Sequence, residues 1–338
     1  MKIIGEIINN IGFITLNRPE KLNALDLEMI RDLKKLFINY EEDKNVKLIV
    51  VRGNGKSFCA GGDVVKVYKD HILKNKDYSL FFKEEFELDN YISNTTTPVL
   101  SICHGNVMGG GIGISIDSDF SIFTTNSKWA MPEILLGIFP DVGVGSYISK
   151  LPKELGLYIS LIGKVITGED AVKLGFGTNY IDENKVSDLV EDLKRLKFNI
   201  DTKQEVKNIL NKYERSVGDF SFSADISSIN KHFSKNSLEE IIESLKNDDT
   251  DFSKLTLDKI NSSSPLSLVI IYKKYFAGKN WSREQTYPID LKILNYCVEN
   301  GDACEGIRTT LIDKNDIPKF KHSSVKDIDL NKIDNLLK

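Results

Sequence analysis

The chain has 338 residues, 41% of them apolar and 28% charged, with a formal net charge of −4. At roughly 150 residues per domain this allows one large domain with an appendage, or two domains, and the interspersed charge leaves no basic field to concentrate nucleic acid or anionic lipid. Apolar runs such as Lys47 to Val51 fall far short of the roughly 20 residues that cross a bilayer, so neither a nucleic-acid nor a membrane role is expected.

Met1-Lys2-Ile3-Ile4 enters a strand-like pattern at once, without the look of a signal or transit peptide. Glu6 to Ile8 and Gly12 to Leu16, separated by Asn9-Asn10, read as a hairpin in which the Asn pair tolerates positive φ. Asn23 to Glu42 has the helical period at Leu25, Met29, Leu33, Leu36 and Phe37, and Lys47 to Val51 is a short β-branched run. The pattern recurs as a helix over Leu80 to Ile92, a strand at Pro98 to Cys103, a helix over Gly111 to Ile116 and a strand at Phe120 to Phe123. The result is an α/β half with a mixed or mainly parallel sheet covered by helices. Beyond about residue 182 the sequence turns to charged amphipathic helices: Val186 to Leu196, Lys203 to Tyr213, Leu238 to Lys246, Phe252 to Ile260, Leu266 to Phe276 and Arg283 to Val298.

Four cysteines and four histidines show neither a disulfide framework nor metal-ligand spacing, so chemistry is expected from carboxylates and backbone, with no metal and no redox cofactor. Two Gly-rich turns stand out, Cys59-Ala60-Gly61-Gly62-Asp63 and His104 to Gly111, each between a strand and a helix. There small residues let backbone N–H groups converge on one ligand oxygen, as an oxyanion hole requires; the alternative is that the glycines serve only tight turns. Phosphate-loop and dinucleotide fingerprints both fail, because Val50 and Ile148 stand where glycine is needed. In Trp129 to Gly143, Glu133 and Asp141 lie among apolar residues and prolines, where desolvation and mutual repulsion suit a base or nucleophile; the alternative is helix capping, Asp141 standing before a helix at Val142 to Lys150. Cys59 with His104 as its base is a further candidate nucleophile.

These residues resemble the crotonase, or enoyl-CoA hydratase/isomerase, superfamily: the two Gly turns, Met131-Pro132-Glu133, Phe139-Pro140-Asp141-Val142-Gly143, and the N-terminal Asn17-Arg18-Pro19 with Asn23-Ala24-Leu25. Phe233-Ser234, Ser264-Pro265-Leu266-Ser267-Leu268 and Glu305-Gly306-Ile307-Arg308 with Leu311-Ile312-Asp313-Lys314 are similar to its 3-hydroxyisobutyryl-CoA hydrolase branch. The fold thereby implied is a crotonase-like spiral core of ββα units over residues 1–190, extended by a C-terminal helical region over 191–338 that packs on the core.

The resemblance implies that Gly62 and Gly110 donate backbone N–H groups to the thioester oxygen, and that Ala60, Gly61, Gly62 and Lys56 contact CoA. It places the hydrolase's acidic residues on Glu85, Glu133 and Asp141, although Lys83-Glu84-Glu85 reads on composition as a solvated helix face. Hydratases carry a second Glu where this chain has Gly113, which disfavours water addition to a double bond. Val144 for a usual Gly and Phe320 for a usual Trp are small departures. The implied activity is hydrolysis of a short 3-hydroxyacyl-CoA thioester, 3-hydroxyisobutyryl-CoA first, as in valine breakdown, with a hydratase/isomerase or a non-catalytic CoA-binding protein as alternatives. The implied partner is an acyl-CoA substrate, CoA being part of the substrate rather than a cofactor; the chain is a monomer or small homo-oligomer, cytoplasmic if bacterial and in the mitochondrial matrix if eukaryotic.

Overall fold

The computed structural model describes residues 1–74, 77–199 and 201–338. The chain opens with strands β1 (Ile3–Ile8) and β2 (Ile11–Leu16), helix α1 (Leu27–Glu42) and strand β3 (Leu48–Gly53). Asn9 and Asn10 turn the hairpin at φ +47 and +65, as their composition predicts. Asp26 starts α1 by accepting the Met29 amide at 3.0 Å, an N-cap that satisfies one of the orphan donors of the first turn. Next come α2 (Val64–Ile72), α3 (Asp77–Asn94), β4 (Val99–Cys103), β5 (Asn106–Met108), α4 (Gly110–Gly113), β6 (Phe120–Thr124) and β7 (Lys128–Ala130). The expected helix over 111–116 is thus a single turn starting one residue earlier. A 3-10 helix at Glu133–Leu136 precedes α5 (Gly145–Ile148), α6 (Lys153–Leu161), β8 (Ile166–Thr167), α7 (Gly168–Lys173) and β9 (Asn179–Ile181). The remainder is helical: α8 (Val186–Lys194), α9 (Thr202–Leu210), α10 (Ile226–Phe233), α11 (Leu238–Lys246), α12 (Asp251–Asn261), α13 (Pro265–Ala277), α14 (Arg283–Glu299), α15 (Ala303–Ile307) and α16 (Leu330–Leu336).

The chain forms two compact units that interleave in sequence. The first takes 1–62, 84–129 and 166–221; the second takes 63–83, 130–165 and 222–338. The change in sequence character near 182–200 therefore falls inside the first unit.

The first unit is built on a six-stranded sheet of order β1-β2-β3-β4-β6-β9. Its β1–β2 hairpin is antiparallel and every later pairing is parallel, from Phe13 opposite Val50 to Phe123 opposite Tyr180. Alternate residues of these strands make one apolar face: Ile11, Phe13, Leu48, Val50, Leu100, Ile102 and Ile122 pack against Leu189 and Leu193 of α8 and Val206 and Leu210 of α9. This is the period of two expected when one sheet face meets amphipathic helices. A second, three-stranded sheet has order β5-β7-β8.

The second unit packs helices on helices. α6 carries Tyr158, whose ring meets Phe233 of α10 edge-on at 5.3 Å, and fully buried His232 ties three helices through Ser244, Asp248 and Ser253. α13 is buried along its first half, with Leu266, Leu268, Val269, Ile270 and Ile271 all buried, while Tyr272, Lys273 and Phe276 stay partly open further along.

Candidate active site

In the first unit the two Gly-rich turns run side by side. Cys59 N donates to Asn106 O and Met108 N to Cys59 O, both at 3.0 Å, a parallel bridge between Cys59 and Val107. Gly62 and Gly110 follow at equivalent places beyond that bridge. Gly61 has φ +104, and a Cβ there would stand 3.3 Å from Met108 O and 3.8 Å from Gly110 N, so glycine lets the backbones approach without strain. Among the described residues, neither the Gly62 nor the Gly110 amide donates to a protein acceptor. The N-terminal Asn17 to Leu25 motif holds this arrangement. Buried Asn23 donates to the carbonyls of Asn54 and Ser57 at 2.9 and 2.8 Å and accepts the Arg18 amide at 2.8 Å, while Leu25 N reaches Gly61 O at 2.8 Å. Ala60 is half-buried, its amide bonded to Leu22 O, and Lys56 is exposed on the preceding loop.

Glu85 is buried, at 3% exposure, which overturns its reading as a solvated face. On α3 the outward stripe is instead exposed Lys83 and Glu87 with half-buried Glu84, the two glutamates paired with Lys34 and Arg31. Glu85 and Asp89, four residues apart, share the inward face. A methyl on Gly110 would overlap Glu85 Oε1, and one on Gly113 would lie 2.9 Å from Asp89 Oδ1 and overlap Oδ2. Asp89 thus fills, from another helix, the space a side chain at 113 would need. Cys59 is fully buried and burial pushes its thiol up to about 12, while His104 Nε2 lies 3.0 Å from Gly55 O; a Cys59 nucleophile with His104 as base has no support in this geometry.

In the second unit Glu133 and Asp141 are 6% and 5% exposed. Neither caps a helix: Pro132 precedes the 3-10 helix and Val144 precedes α5, without side-chain capping bonds. The helix expected over 142–150 is short because Val142 takes φ +46 and Gly143 φ +71, which no right-handed helix accommodates. Burial, then repulsion from Asp141, lifts the Glu133 carboxyl well above the usual carboxylate range. Burial, then Asp290, raises Asp141 to about 7. The two titrate as a pair that resists carrying two charges. Glu133 Oε2 is buried without a hydrogen-bond partner among the described residues.

The branch-specific motifs frame this pair. Gly306 of α15 lies directly on the end of the Glu133 helix, where a methyl would stand 2.5 Å from Leu136 O and 2.6 Å from Gly137 N. Arg308 grips Glu305 at 2.9 and 3.0 Å and Asp313 at 2.9 Å. Ser264 caps α13 and donates to Asp302 at 2.6 Å. Sequence reasoning missed the buried ion pair of Lys274 and Asp290 and the buried Asp89. Among the described residues no group of three or more His, Cys, Asp or Glu side chains is placed to hold a metal ion, and no helix is long and apolar enough to cross a membrane.

Residues 11–337 match the enoyl-CoA hydratase/isomerase family. The chain belongs to that family. Among its relatives, the mitochondrial 3-hydroxyisobutyryl-CoA hydrolase of Homo sapiens is 36% identical over 329 residues, spanning 95% of this chain and 85% of that one. The enzyme of the same name from Danio rerio is 33% identical over 330 residues, spanning 96% and 86%. Among solved structures, an enoyl-CoA hydratase from Rhodobacter sphaeroides superposes with a TM-score of 0.90 at 24% identity, covering 100% of this chain and 97% of that one. A carnitinyl-CoA dehydratase from Mycobacterium thermoresistibile gives 0.89 at 25%, covering 100% and 96%. The crotonase fold implied by the motifs is therefore the fold of this family member, including its helical C-terminal region.

Proposed function

We infer that this enoyl-CoA hydratase/isomerase family member hydrolyses the thioester of a short 3-hydroxyacyl-CoA, 3-hydroxyisobutyryl-CoA first, to the hydroxy acid and free CoA. The observation that carries this reading is the buried Glu133–Asp141 pair, held above the ordinary carboxylate range, in a chain 36% identical to a hydrolase of that name. Gly113 and the carboxylate of Asp89 against it support hydrolysis over hydration, since the second acid of hydratases has no room there.

In the proposed mechanism the N–H groups of Gly62 and Gly110 receive the thioester oxygen and the oxyanion that follows; losing one such donor costs about 2.7–4 kcal/mol. The ionised Glu133 either attacks the carbonyl, expelling the CoA thiolate and leaving an anhydride that water opens, or removes a proton from the attacking water. Asp141 orients the substrate hydroxyl or the nucleophile, with Glu85 in support. Ala60, Gly61, Gly62 and Lys56 bind the CoA portion. CoA enters as part of the substrate, and no further cofactor is called on. For a eukaryotic source the site of action is the mitochondrial matrix, in line with the relatives' names; for a bacterial one, the cytoplasm.

A thiol-trapping assay run beside the absorbance of crotonyl-CoA tests the reaction class. Free thiol should appear from 3-hydroxyisobutyryl-CoA, and isobutyryl-CoA should react at least about 100-fold more slowly, because the groups that bind the hydroxyl are left unpaired. Loss of the enoyl chromophore without thiol release would overturn hydrolysis in favour of hydration.

A further inference from the structure

The turn that carries Asp141 has an unfavourable backbone. Val142 at φ +46 is β-branched in the left-handed region, a state that persists only where surroundings over-determine it. Two helices supply those surroundings. From α13, Lys274 Nζ donates to the Pro140 carbonyl at 2.6 Å and lies 4.5 Å from the centre of the Phe139 ring. From α14, one Asp290 oxygen meets Lys274 Nζ at 2.5 Å and the other accepts the Gly143 N–H at 3.1 Å, while Arg283 Nη1 donates to Val142 O at 3.2 Å. Backbone groups on both sides of Asp141 are therefore held by side chains of α13 and α14. Lys274 and Asp290 are 4% and 0% exposed. A pair so deeply buried is a poor device for stability alone, since apolar replacements of similar volume are often as good or better.

We propose that Lys274 and Asp290 are positioning residues for the Glu133–Asp141 pair: they clamp the 139–143 turn and set, by opposed charges, which carboxyl of the pair holds the proton. This deepens the proposed hydrolase reading and rests on it. The groups acting on the pair are Lys274 from α13 and Asp290 and Cys297 from α14, with Arg283 of α14 acting in turn on Asp290. The Lys274 ammonium favours the ionised forms of Glu133 and Asp141, whereas Asp290 opposes ionisation of Asp141. The two residues pull the same equilibrium in opposite directions.

The test is the pH profile of kcat for thiol release in Lys274→Gln, Lys274→Met and Asp290→Asn. Both lysine variants should move the acid limb up by about one pH unit and Asp290→Asn should move it down. Met, which also releases the Pro140 carbonyl, should lower plateau kcat roughly tenfold to a hundredfold with KM within about twofold. Should a single variant fail to fold, the paired Lys274→Met/Asp290→Leu chain removes both charges together and should fold yet keep the low plateau. Folded variants with the native limb and native kcat would overturn the proposal. If the native chain releases no thiol, the hydrolase reading fails on its own. A 13C carboxyl titration of Asp141 then decides the clamp: opposite displacements in the Lys274→Gln and Asp290→Asn chains support it, and unchanged midpoints refute it.

Discussion

Asp141 holds its proton near neutrality because it is buried and faces Asp290, and this links chemistry to stability. A carboxyl whose folded pKa is raised adds stability that is full below its ordinary unfolded value and fades as pH rises through about 7. Native thiol release should accordingly climb with pH through that region as the pair ionises. Asp141→Asn, neutral at every pH, should raise the thermal midpoint above that of the native chain at pH 8, with the gap closing toward pH 4, while thiol release falls. Thermal melts of the two proteins across that range check the sign; a native chain that loses stability relative to Asp141→Asn on acidification would contradict it. Glu133 and Asp141 were legible because charged residues among Ile134, Ile138, Phe139 and two prolines have no surface purpose. Lys274 and Asp290 were not, because neither the lysine pair in Tyr272-Lys273-Lys274-Tyr275 nor an aspartate mid-helix carries a local sign of its tertiary partner.

At the scale of elements, α3 is the informative case. Its charged composition reads as a solvated face, yet period 3.6 divides it into an outer stripe of Glu84 and Glu87 and an inner one of Phe81, Glu85, Asp89 and Ile92. The inner carboxylates lie against Gly110 and Gly113 of α4, so that one-turn helix depends on residues without side chains. Installing the hydratase acid by Gly113→Glu should therefore destabilise the fold. Overpacking alone costs about 1–3 kcal/mol, and a second buried carboxylate beside Asp89 adds to it. Combining it with Asp89→Ala should recover part of the loss, measured as denaturant midpoints of the single and double variants. A Gly113→Glu chain as stable as the native one would mean that α4 has slack the contacts do not show. Hairpin, strands and C-terminal helices followed their periodicity closely; α4 is only Gly110–Gly113, and α5 begins only at Gly145 because Val142 and Gly143 take positive φ, which no propensity scale reveals.

Taken as a whole, the molecule folds as two units that the sequence interleaves. The paired turns ending at Gly62 and Gly110 belong to the sheet unit, and the carboxyl pair belongs to the helical unit. The motifs beyond residue 222 act as a frame, through Gly306 on the Glu133 helix and Ser264 and Arg308 around it. That explains why similarity to the hydrolase relatives spans 95% of the chain rather than stopping at the core. The interleaving itself left no mark on composition, since segments 63–83 and 130–165 look like their neighbours and join the helical unit only through long-range packing. The central claim is that this framed carboxyl pair hydrolyses a thioester, and Glu133→Gln assayed beside the native chain tests it most directly. With 3-hydroxyisobutyryl-CoA, the native chain should release free thiol, and Glu133→Gln should bind the thioester with similar affinity but release thiol at least about 1,000-fold more slowly. Thiol release by Glu133→Gln at the native rate would contradict the account.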